Sequence, residues 1–214
     1  FRDLVPIASM IADYGCFAVR TDSKVQSFSD LAERFKKDPR SVIVAGGSVR
    51  GNTDHFVLAK ALQLAGADPK PLIYLGYDGG GKAATGLLSG EALVLSTGLS
   101  EALQLHRAGL LRIIGVTAES NVPDLPDLPT LRDQGIDLVF ANWRGFFAAK
   151  GLPTNQYKRM QKTLRAVSNS PEFDAIRRRN GWIDLHIEGA AFYTFLEQQE
   201  TQIKSLMQSI GYLR

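Results

Sequence analysis

The side chains best suited to grip a small charged molecule gather in three glycine-rich turns and one polar-aromatic run. In the first turn Gly46, Gly47 and Gly51 leave the backbone open, while Ser48, Arg50, Thr53 and His55 bring donors to the same spot. The second holds Tyr77, Asp78, Gly79 and Gly80 ahead of Lys82, and the third is Ser96, Thr97 and Gly98. The run is Ala141-Asn142-Trp143-Arg144-Gly145, from which Asn142 and Trp143 are the candidates. A turn leading from a strand into a helix presents unpaired N–H groups beside the positive end of the helix dipole, which stabilises an anion. The same turns also read as tight connections with capping residues, as α/β domains use generally. His55 reads equally as a brace for its loop or as a packing histidine, and Trp143 as a site residue or a core one.

Covalent and metal chemistry fit these residues poorly. Residues 76–83, GYDGGGKA, stop one hydroxyl short of a phosphate loop, since Ala83 stands where Ser or Thr would hold Mg²⁺. The spacing of Gly46, Gly47 and Gly51 is not a dinucleotide fingerprint. His55, His106 and His186 lie in separate elements without ligand-spaced neighbours, which argues against zinc. Ser48, Ser96 and Ser100 sit in turns, and the Gly-x-Ser-x-Gly elbow of a serine nucleophile does not occur.

The elements that must carry these turns alternate in type. Residues 41–45 form a short β-branched run, and Phe56, Leu58, Ala59 and Leu62 then follow a helical period. Strands are expected at 4–8, 16–19, 72–75, 92–95 and 112–117. Helices are expected after Ser27 or Ser29, from Lys82 and from Ser100 to Ala108. Three strand-to-helix turns thus open where an α/β sheet places its ligands, at the carboxyl ends of its strands. The prolines of residues 121–129 favour an extended connector and a domain boundary. Beyond it come a short helix at 130–134, strands at 138–143 and 145–149, two helices, a strand at 182–187 and a long final helix.

Composition narrows the classes further. The chain has 214 residues, a net charge of +3 and one cysteine, Cys16, which excludes an internal disulfide and suits a small core residue. So mild a charge suits anionic small molecules and does not imply nucleic acid; Arg177-Arg178-Arg179 reads as a solvated helix face. No run approaches the roughly 18 apolar residues of a membrane span.

The strings AGGSVRGNTDH, YDGGGKAATGLLSGE, STGLSEAL, VPDLPDLPTLRDQGIDL and NWRGFFAAKGLP, in that order, closely resemble the substrate-binding receptors of tripartite tricarboxylate transporters, the Bug-type periplasmic proteins. The resemblance spans essentially the whole chain. It implies a two-domain α/β, periplasmic-binding-protein-like architecture, each domain a sheet flanked by helices, that clamps a small organic carboxylate in an interdomain cleft. It implies a non-catalytic receptor in the periplasm that delivers its acid to membrane transporter subunits, without a cofactor. Residues 19–118 would be a complete second domain. Residues 1–18 and 119–214 would be the remainder of a first domain whose opposite cleft wall, in family chains, precedes this stretch. The site residues would come from all three turns with Asn142 and Trp143. The alternatives are an anion- or nucleotide-binding enzyme using the glycine-rich loop before Lys82, and a carboxylate sensor subunit.

Overall fold

The computed structural model describes residues 1–213. Its organising element is β1, Leu4–Arg20, a single 17-residue strand where two short strands are expected at 4–8 and 16–19. The intervening residues continue the strand because they are paired and Ile7 to Ala12 are buried, so nothing frees the backbone to turn. Up to Tyr14, β1 pairs antiparallel with β6 (Ala141–Ala149) and briefly with β7 (Ile183–Asp184); from Gly15 it pairs antiparallel with β4 (Val94–Gly98) and β5 (Leu111–Val116). β2 (Ile43–Gly46) and β3 (Ile73–Gly76) complete the order β3-β2-β4-β1-β5, with β2 parallel to both β3 and β4.

The period-2 geometry of β1 explains how one strand feeds two cores. Phe17 and Val19 point into a cluster with Phe28, Leu31 and Phe35 of α1 (Phe28–Lys37) and Leu58 and Leu62 of α2 (Thr53–Leu64). Cys16 and Ala18 point the opposite way, towards Leu87 of α3 (Gly80–Leu88) and Leu99 and Leu103 of α4 (Leu99–Arg107). Ser27 caps α1 in a reciprocal box with Asp30, resolving the choice between Ser27 and Ser29.

Several local expectations shift. Ser96, Thr97 and Gly98 belong to β4 rather than to a loop, because they pair with Phe17, Cys16 and Gly15 before the chain enters α4 directly. The strands expected at 138–143 and 145–149 are one, β6. Gly145 continues it, and a Cβ there would stand 2.6 Å from the Ala8 carbonyl oxygen. Only Ile183 and Asp184 of residues 182–187 pair as strand, and the helix at 130–134 is a 3₁₀ turn, Arg132–Gln134. The proline-rich connector does not separate the two halves of the sheet. Val122 and Leu128 fill one β1 cluster and Leu131, Ile136 and Leu138 the other, so the chain leaves the β2–β5 half only at Phe140.

That exit is riveted by Thr117, which is fully buried. Its Oγ1 accepts from the Gly15 N–H at 2.8 Å and donates to the Phe140 carbonyl at 2.6 Å, while its own N–H and C=O bond Gly15 and Phe140. Of the remaining elements, α5 (Thr154–Ser168) and α7 (Gly189–Ser209) pack on β1, and α6 (Pro171–Asn180) packs against α5, β7 and α4. Thr117→Val keeps the shape and leaves a buried donor and acceptor unpaired, a loss on the order of 1–3 kcal/mol. Urea unfolding should show it as a lowered midpoint; an unchanged midpoint would mean that the crossing does not need the hydroxyl.

Candidate functional site

A cavity of about 190 Å³ lies where β2 and β4 end and β6 begins. Gly47, Ser48, Thr53, Ser96, Thr97 and Gly98 wall it from one half; Asn142 and Arg144 face them from the other. Asp13, at the point where β1 changes partners, forms part of the floor.

Three carboxylates dominate the electrostatics. Asp13 is 1% exposed, and it accepts from the Ser100 N–H at 3.2 Å and the Ser100 hydroxyl at 2.5 Å, with Arg144 Nη1 3.9 Å away. Burial raises its pKa to about 6, against the lowering effect of Ser100 and Arg144. Asp54 accepts from Ser48 Oγ at 2.9 Å, and its own backbone carbonyl accepts from Ser96 Oγ at 2.7 Å. Burial likewise raises Asp54 to about 6, with Ser48 and the Gly47 N–H opposing and Glu101 adding to the rise. Glu101 accepts from the Thr97 hydroxyl and from the Gly80 N–H at 3.3 Å. The protein's own side chains therefore engage N–H groups at the starts of α3 and α4, donors that the sequence pattern assigns to a ligand. Arg144 is the one cation among the lining residues.

The remaining expected site residues point elsewhere. Arg50 is exposed and donates to the Leu72 carbonyl at 3.2 Å, away from the cavity, because the turn swings it over β3. Gly46 lies beneath the Tyr74 ring, where a Cβ would collide, and Gly51 supplies a left-handed turn residue at φ +89°. His55 is buried among Phe56, Tyr74 and Tyr212 and packs rather than bracing the loop by a donated bond. Tyr77 bonds Glu91 at 2.5 Å, and Asp78 pairs with Lys82 at 3.0 Å on the exposed surface. Gly79 and Gly80 form the start of α3 behind the cavity wall, Gly79 donating to the Gly47 carbonyl at 2.9 Å. Trp143 turns to the opposite face of β6, where Phe192 and Phe195 of α7 meet it edge-on at 5.8 and 5.6 Å. Strand alternation explains why Asn142 and Arg144 face the cavity and Trp143 does not.

Asp13, Asp54 and Glu101 escaped the sequence reading, and Arg144 lay within the polar-aromatic run at 141–145 without being chosen from it. Asp13 had a signal, an acidic residue within the otherwise apolar run of β1. Asp54 and Glu101 sit in the first turns of helices, where acidic residues are ordinary, so their types carried none. Among the described residues, no group of three or more His, Cys, Asp or Glu converges to hold a metal, and no helix is long and apolar enough to cross a membrane.

Comparison with known proteins gives a consistent neighbourhood. The profile described as the tripartite tricarboxylate transporter family receptor, TctC, matches residues 1–212. A protein from the tcbD–tcbE intergenic region of a Pseudomonas species is 26% identical over 175 residues, covering 80% of this chain and 50% of the relative. A Bordetella pertussis relative is 21% identical, covering 97% of this chain and 64% of its own length. The chain thus spans half to two thirds of these curated relatives. Among solved structures, an R. palustris protein with adipate superposes with a TM-score of 0.89 at 21% identity, covering 98% of this chain and 69% of that one. The periplasmic binding protein BugD gives 0.87 at 24% identity, with 98% and 70% covered. MatC from Rhodopseudomonas palustris with bound malate gives 0.73 at 18%, with 84% and 60% covered. These likenesses establish the two-part α/β fold of periplasmic binding proteins.

The raised carboxyls make stability depend on pH with a definite sign. For Asp13 and Asp54 the folded pKa, about 6, exceeds the ordinary value of 3.8, so the folded state binds protons more tightly. Their contribution is fully present below about pH 3.8 and is lost as pH rises through about 6. The two carboxyls should therefore pull the melting temperature down as pH rises towards about 6, partly offset by His55, whose pKa, lowered from 6.5 to about 4, adds stability over the same rise, and Asp13→Asn with Asp54→Asn should abolish the fall. A profile with the same slope in the double variant would place the titration elsewhere.

Proposed function

This chain belongs to the tripartite tricarboxylate transporter receptor family, and from that premise we propose that it is a non-catalytic receptor for a small organic carboxylate. It holds the acid in the cavity at the sheet crossing and, in the periplasm, delivers it to a membrane transporter. The observation that carries the reading is the cavity's position: Ser48 and Thr97 come from one half of the sheet and Asn142 and Arg144 from the other, so a ligand between them touches both. The two halves act as lobes, with the chain crossing at Tyr14–Gly15 and again at Phe140–Ala141. Similar structures that hold adipate and malate support an aliphatic acid as the ligand class.

The cavity's charges set the manner of binding. Arg144, half exposed and only loosely paired with Asp13, is the group free to meet a carboxylate. Asp13, Asp54 and Glu101 oppose a fully ionised ligand unless protons are taken up. Protonated Asp13 or Asp54 removes a negative charge and supplies an O–H donor to the acid. A nucleotide hydrolase has less support: Lys82 is committed to Asp78 on the surface, and the buried Ala83 offers no hydroxyl.

Calorimetry with adipate and malate tests this. Arg144→Ala should weaken binding by about 1.5–3 kcal/mol, the scale of a hydrogen bond to a charged group. Arg50→Ala and Lys82→Ala should leave affinity nearly unchanged, since both side chains face away. Wild-type affinity should rise as pH falls from 7.5 towards 6, by at most about tenfold per pH unit for each proton taken up. Stabilisation by ATP with Mg²⁺ and by no carboxylate in a thermal-shift screen would overturn the receptor reading.

A further inference from the structure

The C-terminal end of the chain does something that the cavity alone does not reveal. α7 begins against β6, with Phe192 edge-on to Trp143 at 5.8 Å, and finishes against α2 in the other half. There Ile210 is buried with Phe56 and Ala59. Lys60 donates to Ser209 Oγ at 3.1 Å, and Gln63 caps the helix end by donating to the Ser209 carbonyl at 2.8 Å. Gly211, at φ +80°, reverses the backbone, and the Tyr212 N–H bonds the Met207 carbonyl at 2.8 Å. The reversal lays the Tyr212 ring across the start of α2, edge-on to Phe56 at 5.0 Å and to His55 at 5.3 Å.

From His55 the contacts run on to the cavity loop. The His55 ring meets Tyr74 edge-on at 4.9 Å, and the Tyr74 hydroxyl donates to the Ser48 carbonyl at 2.9 Å. Tyr74 fits only because Gly46 has no side chain, and the path from Gly51, where a Cβ would stand 3.7 Å from the Tyr212 ring, closes the circuit. His55 is 2% exposed, and its Nδ1 has no hydrogen-bond partner. Burial, with the charge of Arg50, pushes its pKa down to about 4, so at neutral pH it is an uncharged ring wedged between two tyrosines.

We propose that residues 210–212 are a clasp that holds the cavity loop, residues 47–53, in its ligand-ready shape, with Tyr212 as a positioning residue acting through His55 and Tyr74. Tyr212 lies on the far side of that layer and does not line the cavity. Because α7 is rooted in one half and clasped to the other, the clasp also ties the loop's shape to the relation between the halves.

Hydrogen exchange read by mass spectrometry on the 214-residue protein tests the clasp without any ligand, so its outcome is separate from that of the carboxylate reading. In Tyr212→Ala, amides of residues 47–53 should exchange at least tenfold faster while those of β4 keep wild-type protection. Tyr212→Phe should match wild type, because the ring contacts hold the clasp and the hydroxyl lies 3.4 Å from His55 Nε2, too far for a strong bond. Unchanged exchange of residues 47–53 in Tyr212→Ala would overturn the proposal. So would faster exchange of loop and β4 alike, which would make the tail a general stabiliser. If Tyr212→Ala does not fold, Tyr212→Leu, which keeps apolar bulk and removes the aromatic edge contacts, is decided by the same comparison.

Discussion

β1 has to satisfy two sets of neighbours along one backbone, and the rest of the molecule is arranged around that demand. An extended strand exposes its N–H and C=O groups on both edges, and buried groups of this kind must find partners. From Gly15 onward β4 and β5 supply them on the two edges, and before that β6 does so along one edge. The change of partner produces the small polar space beside Asp13, because the strands of the two halves pair with different stretches of β1 on either side of it. Thr117 closes one side of the same gap with a hydroxyl that serves as donor and acceptor at once.

The carboxylates in that gap follow from the same geometry. Helices α3 and α4 start beside it, and their first N–H groups need acceptors whether or not a ligand is present. Glu101 and Asp13 meet the need at Gly80 and Ser100. Charges brought out of water for this purpose are held at a cost, which appears as the upward shifts of Asp13 and Asp54. On the proposed reading, attraction at Arg144 is balanced against repulsion from the cavity's own acids, so protonation would set the affinity alongside shape.

Much of the β2–β5 half was legible because its elements are local. The helical period of Phe56, Leu58 and Leu62 and the glycine-rich turns mark strand and helix without reference to distant residues. The strand β1 was not legible as one piece, since Tyr14-Gly15 resembles a break until β4 and β6 are seen to pair on either side of it. Ser96 to Gly98 misled for a related reason: Ser, Thr and Gly favour turns, but pairing with β1 outweighs that preference. Of the residues that line the cavity, Ser48, Thr97 and Asn142 could be picked by type and place. Arg50 could not be rejected, because its direction depends on the path of the turn over β3. Trp143 and Arg144 are neighbours whose roles are divided by strand alternation, and only the register of β6 against β1 decides which of them faces Asp13.

The shared strand also bears on how such a protein diversifies. A lobe with its own closed sheet can be excised, duplicated or fused elsewhere as a genetic unit. Neither half here is such a cassette, because both are built on one continuous strand, and separating them means cutting that strand at Tyr14–Gly15. If the cavity is the ligand site, as proposed, new ligand preferences are more accessible by point changes at the few positions that wall it, with the crossing itself inherited intact.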